Sequence, residues 1–215
     1  EMANQIAHEI KNPLTPMRLG IQHLQRVYRD GRPLGPSLED TSRRILGEID
    51  RLDTIARAFS RFAAPAEGRP APEPTPLGEV CREVVALYGL APDAGGVSLS
   101  IERDALVLAH RDEVKETLVN LLENSRNADA RTVTVLLDGP VLRVVDDGCG
   151  IAPEELERIF EPRFSTTTSG SGLGLAIVKR LVEGWGAVIG VESELDRGTT
   201  ITIRFREATP LPRDG

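Results

Sequence analysis

The 215-residue sequence is poor in cysteine, aromatic residues and long apolar runs, and it has no excess of positive charge. Its two cysteines, Cys81 and Cys149, lie far apart without CxxC spacing or flanking histidines, so neither a zinc site nor a disulfide framework is indicated. A reducing compartment, the cytoplasm, is expected. No apolar run approaches the roughly 20 residues that cross a bilayer, and the N-terminus lacks the charged, apolar and small-residue regions of a signal peptide. With 26 Lys and Arg against 33 Asp and Glu, the formal net charge is -7. That balance excludes the basic face that nonspecific nucleic-acid or anionic-membrane binding requires, so neither partner is expected. The chain opens at Glu1 inside a helical pattern, so an upstream portion is expected.

Hydrophobic content of 40% is ordinary for a globular protein. From Ile6 the apolar positions Ile10, Met17, Ile21, Leu24 and Val27 fall at three-four spacing, one stripe of a long helix. Asp30 to Pro36 supplies breakers, and Ser37 reads as the cap of a second helix carrying Ile45, Ile49, Leu52, Ile55, Phe59 and Phe62. A lone hairpin leaves much of both stripes wet, which predicts a homodimer whose hairpins pair into a four-helix bundle. Residues 63–76 hold five prolines and read as an extended spacer. Beyond it, helices are predicted near 77–90, from Arg111 and at 173–183, and strands near 97–101, 105–109, 132–137, 141–145, 187–192 and 199–205. Short connections within 132–145 and 187–205 predict an antiparallel or mixed sheet covered on one face by helices. The fold class expected is α + α/β, a dimerising hairpin followed by an α/β sandwich. Its expected parts are a hairpin at 1–64, a linker at 65–76, a second domain at 77–208 and a tail at 209–215.

His8 stands in HEIKNPLTP, two residues from Ile6 and Ile10, so a helix turns it away from the apolar stripe. Pro13 and Pro16 follow, and inside a helix they would leave the Glu9 and Asn12 carbonyls unpaired at about 3 kcal/mol each. By itself the pattern describes a surface histidine near a helix end. The nine residues, however, resemble the phosphoacceptor box of the histidine kinase superfamily, and their wording is similar to sensor kinases of the nitrogen-regulation type. The resemblance implies that His8 is the nucleophile that takes a γ-phosphoryl group, that Glu9 accepts or orients the other ring proton, and that Asn12 positions a water when a partner is dephosphorylated.

In EVKETLVNLLENSRNA, Glu116, Asn120 and Asn124 recur at i, i+4 and i+8 on one helix face, opposite Leu118, Leu121 and Leu122. This stretch resembles the asparagine box of the ATP-binding domain shared by histidine kinases, gyrases, heat-shock chaperones and mismatch-repair proteins. The resemblance makes Asn124 the Mg²⁺ ligand through its amide oxygen and adds Asn120 to the nucleotide contacts. Val144 and Val145 lead into Asp146-Asp147-Gly148-Cys149-Gly150, where by resemblance Asp146, and not Asp147, meets the adenine amino group while Gly148 and Gly150 let the backbone approach the ring. Gly170, Gly172, Leu173 and Gly174 open a helix whose bare amides suit phosphate, and no GxxxxGK[ST] loop occurs. Phe160 and Arg163 match the phenylalanine box and lid of the same kinases, and Thr199 matches their final nucleotide-contacting turn. ATP and Mg²⁺ are therefore the expected cofactors.

The pattern departs from its relatives in places. Many carry a lysine where this lid has Thr167 and an aromatic residue where it has Arg163, so Arg163 is the candidate cation for the γ-phosphate, with Arg126 behind it. Ser125 stands where alanine is common. The hydrolysing relatives carry a glutamate four residues before the metal-binding asparagine, whereas Asn120 cannot accept a proton from water. The function expected is that of a two-component sensor kinase core which phosphorylates His8 from ATP and passes the phosphoryl group to a response-regulator aspartate, with dephosphorylation of that partner as an added activity. A non-transferring ATP-binding dimer acting as scaffold or phosphatase, and a chaperone-like ATPase, are the competing readings. In such a kinase a parent protein anchored in the inner membrane is compatible with the upstream portion.

Overall fold

The computed structural model describes residues 2–63, 70–89, 96–162, 164 and 172–208. The chain divides into two compact units, residues 1–69 and 70–215.

The first unit is a helical hairpin. Helix α1 (Met2–Arg29) runs unbroken through Pro13 and Pro16, so the prolines do not end it. It stops where Gly31 adopts a left-handed φ of 64°, with the Asp30 amide on the Arg26 carbonyl at 2.9 Å and the Arg32 amide on Val27 at 3.1 Å. Helix α2 (Gly35–Ala63) begins two residues before the cap expected at Ser37. Pro36 sits in its first turn, where a missing N–H costs nothing because that group has no intrahelical partner. Close approach of the helices depends on Gly20, where a Cβ would come within 2.9 Å of Thr41 Cγ2. Val27 and Thr41 are buried, but Leu19 and Leu46 remain 57% and 60% exposed and Ile21 and Ile49 are exposed as well. One hairpin therefore leaves much of its apolar stripe uncovered.

The second unit is built on a five-stranded sheet. Its elements are β1 (Glu73–Pro76), α3 (Leu77–Gly89), β2 (Gly96–Arg103), β3 (Leu106–Ala109), α4 (Arg111–Asn127), β4 (Thr132–Asp138), β5 (Val141–Asp146), α5 (Gly174–Gly184), β6 (Val188–Glu194) and β7 (Gly198–Arg204). The order is β2-β4-β5-β7-β6. β2 and β4 are parallel and the other pairs antiparallel, so the sheet is mixed. Alternate residues Val133, Val135, Leu137, Leu142, Val144, Ile201 and Ile203 are buried while Arg143 and Arg204 are exposed, which marks one face as the core. Helix α3 packs against β2, α4 against β5 and α5 against β6, so the helices cover that face.

Residues 73–76, read from sequence as the end of a spacer, form strand β1 and pair antiparallel with β3. The prolines had argued against a strand. They fit because Pro74 and Pro76 share one parity and β1 lies at the edge of a two-stranded sheet, so their missing N–H groups fall on the side with no neighbour among the described residues. Thr75, of the other parity, is buried and donates its hydroxyl to the Ala109 carbonyl at 2.9 Å. The tail expected at 209–215 and residues 65–69 of the expected linker lie outside the described residues.

Candidate functional site

On the core face of the sheet the cross-strand rows are apolar until the last. Val135, Val144, Ile201 and Val191 form one row, and Leu137, Leu142, Ile203 and Ile189 the next. At the other end of the strands the row becomes Val133, Asp146, Thr199 and Ser193. Alternation places these polar side chains on the same face as the core. Asp146 Oδ1 accepts the Gly148 amide at 3.0 Å and the Thr199 amide at 3.1 Å, and Oδ2 accepts the Ser125 hydroxyl at 2.8 Å. Ser125 is buried in α4, so the carboxylate is fixed from three sides.

Glycine makes this convergence possible. Gly148 has room for no side chain, since a Cβ would lie 2.8 Å from the Ala128 carbonyl. Gly150 has φ of 68° and abuts the Glu194 carbonyl. The Cys149 amide binds the Ala128 carbonyl at 2.9 Å and the Asp196 amide binds the Cys149 carbonyl at 2.8 Å, so the loop after β5 is held between the end of α4 and the β6–β7 turn. Asp147 faces the other way and is exposed. Its Oδ1 accepts the Arg131 and Thr132 amides at 2.7 and 2.8 Å, which pin the start of β4 and, led by the Thr132 hydrogen bond, hold the carboxyl below the usual aspartate range.

Helix α4 brings Asn120 and Asn124 to the first turn of α5. A Cβ on Gly174 would lie 3.3 Å from Asn120 Oδ1 and 3.5 Å from Asn124 Oδ1. Asn120 Nδ2 donates to the Glu116 carbonyl at 2.9 Å, which turns its oxygen outward. Asn124 Nδ2 is buried and has no hydrogen-bond partner among the described residues. An unmet polar group beside two amide oxygens is the feature expected where a polar ligand completes the site. Gly172 has φ of 63°, and α5 begins at Gly174 without a side-chain cap, so its first amides are not closed off from within the helix.

Phe160 is half-buried, with Lys179 of α5 5.7 Å from its ring centre. Arg126 pairs with Glu123 at 2.9 Å on the surface. Arg163, Gly170 and the lid at 165–171 lie outside the described residues. His8 and Glu9 lie on α1, and their side chains are not among those described; Asn12, on the same helix, is exposed. The structure thus gathers Asn120, Asn124, Asp146, Gly148, Gly150, Gly172, Leu173, Gly174 and Thr199 in the second unit, while His8, Glu9 and Asn12 belong to the first.

Residues 1–67 match the family described as the His Kinase A (phospho-acceptor) domain, and residues 109–209 match the histidine kinase-, DNA gyrase B- and HSP90-like ATPase. The chain is a histidine kinase catalytic core. Sensor histidine kinase ZraS of Salmonella typhi is 28% identical over 212 residues, which span 94% of this chain and 44% of that protein. The kinase ShkA, solved at full length in complex with AMPPNP, is 26% identical with a TM-score of 0.64 over 97% of this chain and 47% of that one. Histidine kinase ThkA, solved in complex with the response regulator TrrA, has the same fold, with a TM-score of 0.71 and 24% identity over 97% of this chain and 61% of that one. The chain spans about half the length of the curated relatives it matches, and among the described residues no helix is long and apolar enough to cross a membrane.

In this kinase core the sequence reading missed two hydroxyls. Ser125 was noted only as a departure from alanine, and Ser193 not at all. Ser193 could have been found from parity, since it occupies the register of Ile189 and Val191, where a core-facing apolar side chain is expected. Asp147, set aside on spacing, is a clamp between the loop and β4. Among the described residues no cluster of three His, Cys, Asp or Glu could hold a metal ion. A cation at this site would therefore rest on amide oxygens and on the phosphates of a bound nucleotide, which is how Mg²⁺ is commonly held.

Proposed function

We propose that this chain uses ATP to phosphorylate His8 and then passes the phosphoryl group to an aspartate of a response-regulator receiver domain, working as a homodimer. The observation that carries the reading is the pairing of Asn120 and Asn124 at the start of α5. By the resemblance, Asn120 stands where the hydrolysing relatives carry the carboxylate that activates water, and its amide nitrogen is committed to the Glu116 carbonyl. A nucleotide bound here would meet an amide rather than a carboxylate at that position, which favours transfer to another nucleophile over hydrolysis.

The roles assigned to individual residues belong to this proposal. Asp146 and the glycines 148 and 150 take the adenine, with Thr199 beside them. Gly172, Leu173 and Gly174 present the α5 amides to the phosphates, and Phe160, Arg163 and Gly170 border the lid. Asn124, with Asn120 next to it, offers an amide oxygen to Mg²⁺, which when bound neutralises phosphate charge in the transfer. The His8 imidazole attacks the γ-phosphorus, a P–N bond forms as the bond to the ADP oxygen breaks, and Glu9 receives or orients the ring proton. The P–N bond then yields to a receiver carboxylate. Asn12 positions water when the phosphorylated receiver is hydrolysed. His8 and the nucleotide site lie in different units, so alignment of the two is part of the reaction. Dimerisation follows from the open stripe of the hairpin, where Met17, Gly20 and Ile45 line a groove.

The test is incubation with γ-labelled ATP. Acid-labile, base-stable label on the chain, absent in His8→Ala and Asn124→Ala and chased onto a receiver domain, is the expected result. Steady phosphate release without labelled protein would instead identify an ATPase. Arg163→Ala should slow labelling sharply while leaving ATP affinity in place.

A further inference from the structure

Asp146, Thr199 and Ser193 face one another across three adjacent strands, and their protons can be assigned. Asp146 Oδ1 is filled by the Gly148 and Thr199 amides, and Oδ2 accepts the Ser125 hydroxyl with one accepting position left. Ser193 Oγ has one proton to give and two positions with which to accept. The Ile151 amide reaches it at 2.9 Å, the Gly198 carbonyl oxygen lies at 2.8 Å and Thr199 Oγ1 at 2.9 Å. A carbonyl only accepts, so the Ser193 proton goes to Gly198, one lone pair takes the Ile151 amide and the other takes the Thr199 hydroxyl proton. The reverse assignment sets the Gly198 carbonyl against a lone pair at 2.8 Å, which is unfavourable. Thr199 therefore gives its proton to Ser193 and has only lone pairs to offer elsewhere.

We infer that Ser193, by fixing Thr199 as an acceptor, makes this end of the sheet select a 6-aminopurine nucleotide over a 6-oxopurine one. The inference rests on the reading of Asp146 as the residue that meets the base. The free position on Asp146 Oδ2 and the lone pairs of Thr199 Oγ1 are then both acceptors, suited to an exocyclic N–H. A 6-oxo group would bring a third acceptor against them, and a half-buried polar group left unpaired in this way is a strong basis for rejection. Ser193 does not meet the base. It is a positioning residue, acting through the direction of one proton, and Ser125 supports it by holding Asp146 Oδ2 in place. Loss of the Ser193 hydroxyl frees Thr199 to turn and donate, and a donor there would accommodate the 6-oxo group.

The experiment compares dissociation constants of ATP and of inosine triphosphate, its 6-oxo counterpart, measured by calorimetry on the full chain. Ser193→Ala should lower the preference for ATP by about fivefold or more, largely through tighter binding of inosine triphosphate, as expected for one hydrogen bond gained. Ser193→Thr, which keeps the hydroxyl, should restore the preference. Equal weakening of both nucleotides in Ser193→Ala, with the ratio unchanged, would show a residue that only braces the β6–β7 turn and would overturn the inference. Unfolding followed by the fluorescence of Trp185 verifies that each variant is folded. If Ser193→Ala does not fold, Thr199→Val carries the comparison: removal of the acceptor should lower the same ratio, and an unchanged ratio overturns the inference. Asp146→Asn separates the two levels of the argument. If that variant keeps the ATP preference of the parent chain, the reading of Asp146 fails, whatever Ser193 does.

Discussion

The Trp185 indole donates to Glu113 Oε2 at 2.8 Å, joining the C-terminal end of α5 to the first turn of α4. At the opposite end of the same pair, Gly174 of α5 meets Asn120 and Asn124 of α4. The two helices are thus antiparallel, clamped at one end and open to the proposed nucleotide site at the other. Trp185 also stacks on Phe205 with ring centres 5.6 Å apart, and both are buried.

Trp185→Ala should destabilise the second unit by about 3–5 kcal/mol, the usual cost of emptying a large aromatic site. Trp185→Phe keeps a ring against Phe205 and loses the indole donor, so its cost should be nearer 1–2 kcal/mol. Denaturant unfolding followed by circular dichroism measures both. Equal losses would show that the stack contributes little.

Ser125→Ala removes the hydroxyl from Asp146 Oδ2. The expected outcome is about threefold to tenfold weaker ATP binding, in line with a net hydrogen-bond contribution near 1 kcal/mol. The alanine fits the space, so the melting temperature should fall by only a few degrees. Calorimetric titration beside a thermal scan separates the two effects, and unaltered affinity would remove Ser125 from the site.

The two thiols should differ sharply in reactivity. Cys81 is fully buried, and burial, with the charge of Asp104 added, pushes its thiol up to about 12, so little thiolate forms at neutral pH. Cys149 is exposed. A thiol-specific reagent should label the native protein once per chain, at Cys149, and Cys149→Ser should abolish that fast reaction. Two fast equivalents in the native state would contradict the burial of Cys81.

Asp147 makes the second unit acid-sensitive in a defined direction. Its carboxyl is held below the ordinary aspartate value by the Thr132 and Arg131 amides, so the ionised form is the one that stabilises the fold. The contribution is fully present above the unfolded value, near pH 4, and is lost as pH falls through the lower folded value. Asp147→Ala should therefore be less stable than the parent chain at neutral pH, with the gap narrowing below about pH 4. A gap that stays constant on acidification would contradict the role given to the charge. Unfolding curves at a series of pH values supply the measurement.

Much of this architecture was legible because hydrophobic period is a local property. The alternation of Val133, Val135 and Leu137, and the spacing of Leu118, Leu121 and Leu122, needed no partner to declare a strand and a helix. β1 was hidden because Pro74 and Pro76 read as breakers unless the neighbouring edge is known to be empty. The start of α2 was misplaced because Ser37 looks like a better cap than Gly35, although a proline in the first turn serves equally well. In the site, Asp146 was proposed through the family resemblance of the stretch Asp146 to Gly150, whose residues are close in sequence. The bonds from Ser125 and Ser193 could not be found that way. One spans 21 residues between helix and strand, and the other depends on the β6–β7 register.

The row of Asp146, Thr199 and Ser193 closes only after β7 has returned to pair with β5, across the whole stretch that contains the lid and α5. Long-range pairings of this kind form late, because the loop entropy must be overcome before the contacts offset it. The hairpin of α1 and α2, joined by a short turn, faces no such delay. A nucleotide held by that row, as proposed, has nothing to bind until folding is nearly complete. ATP should then slow the unfolding of the second unit and leave its folding rate almost unchanged.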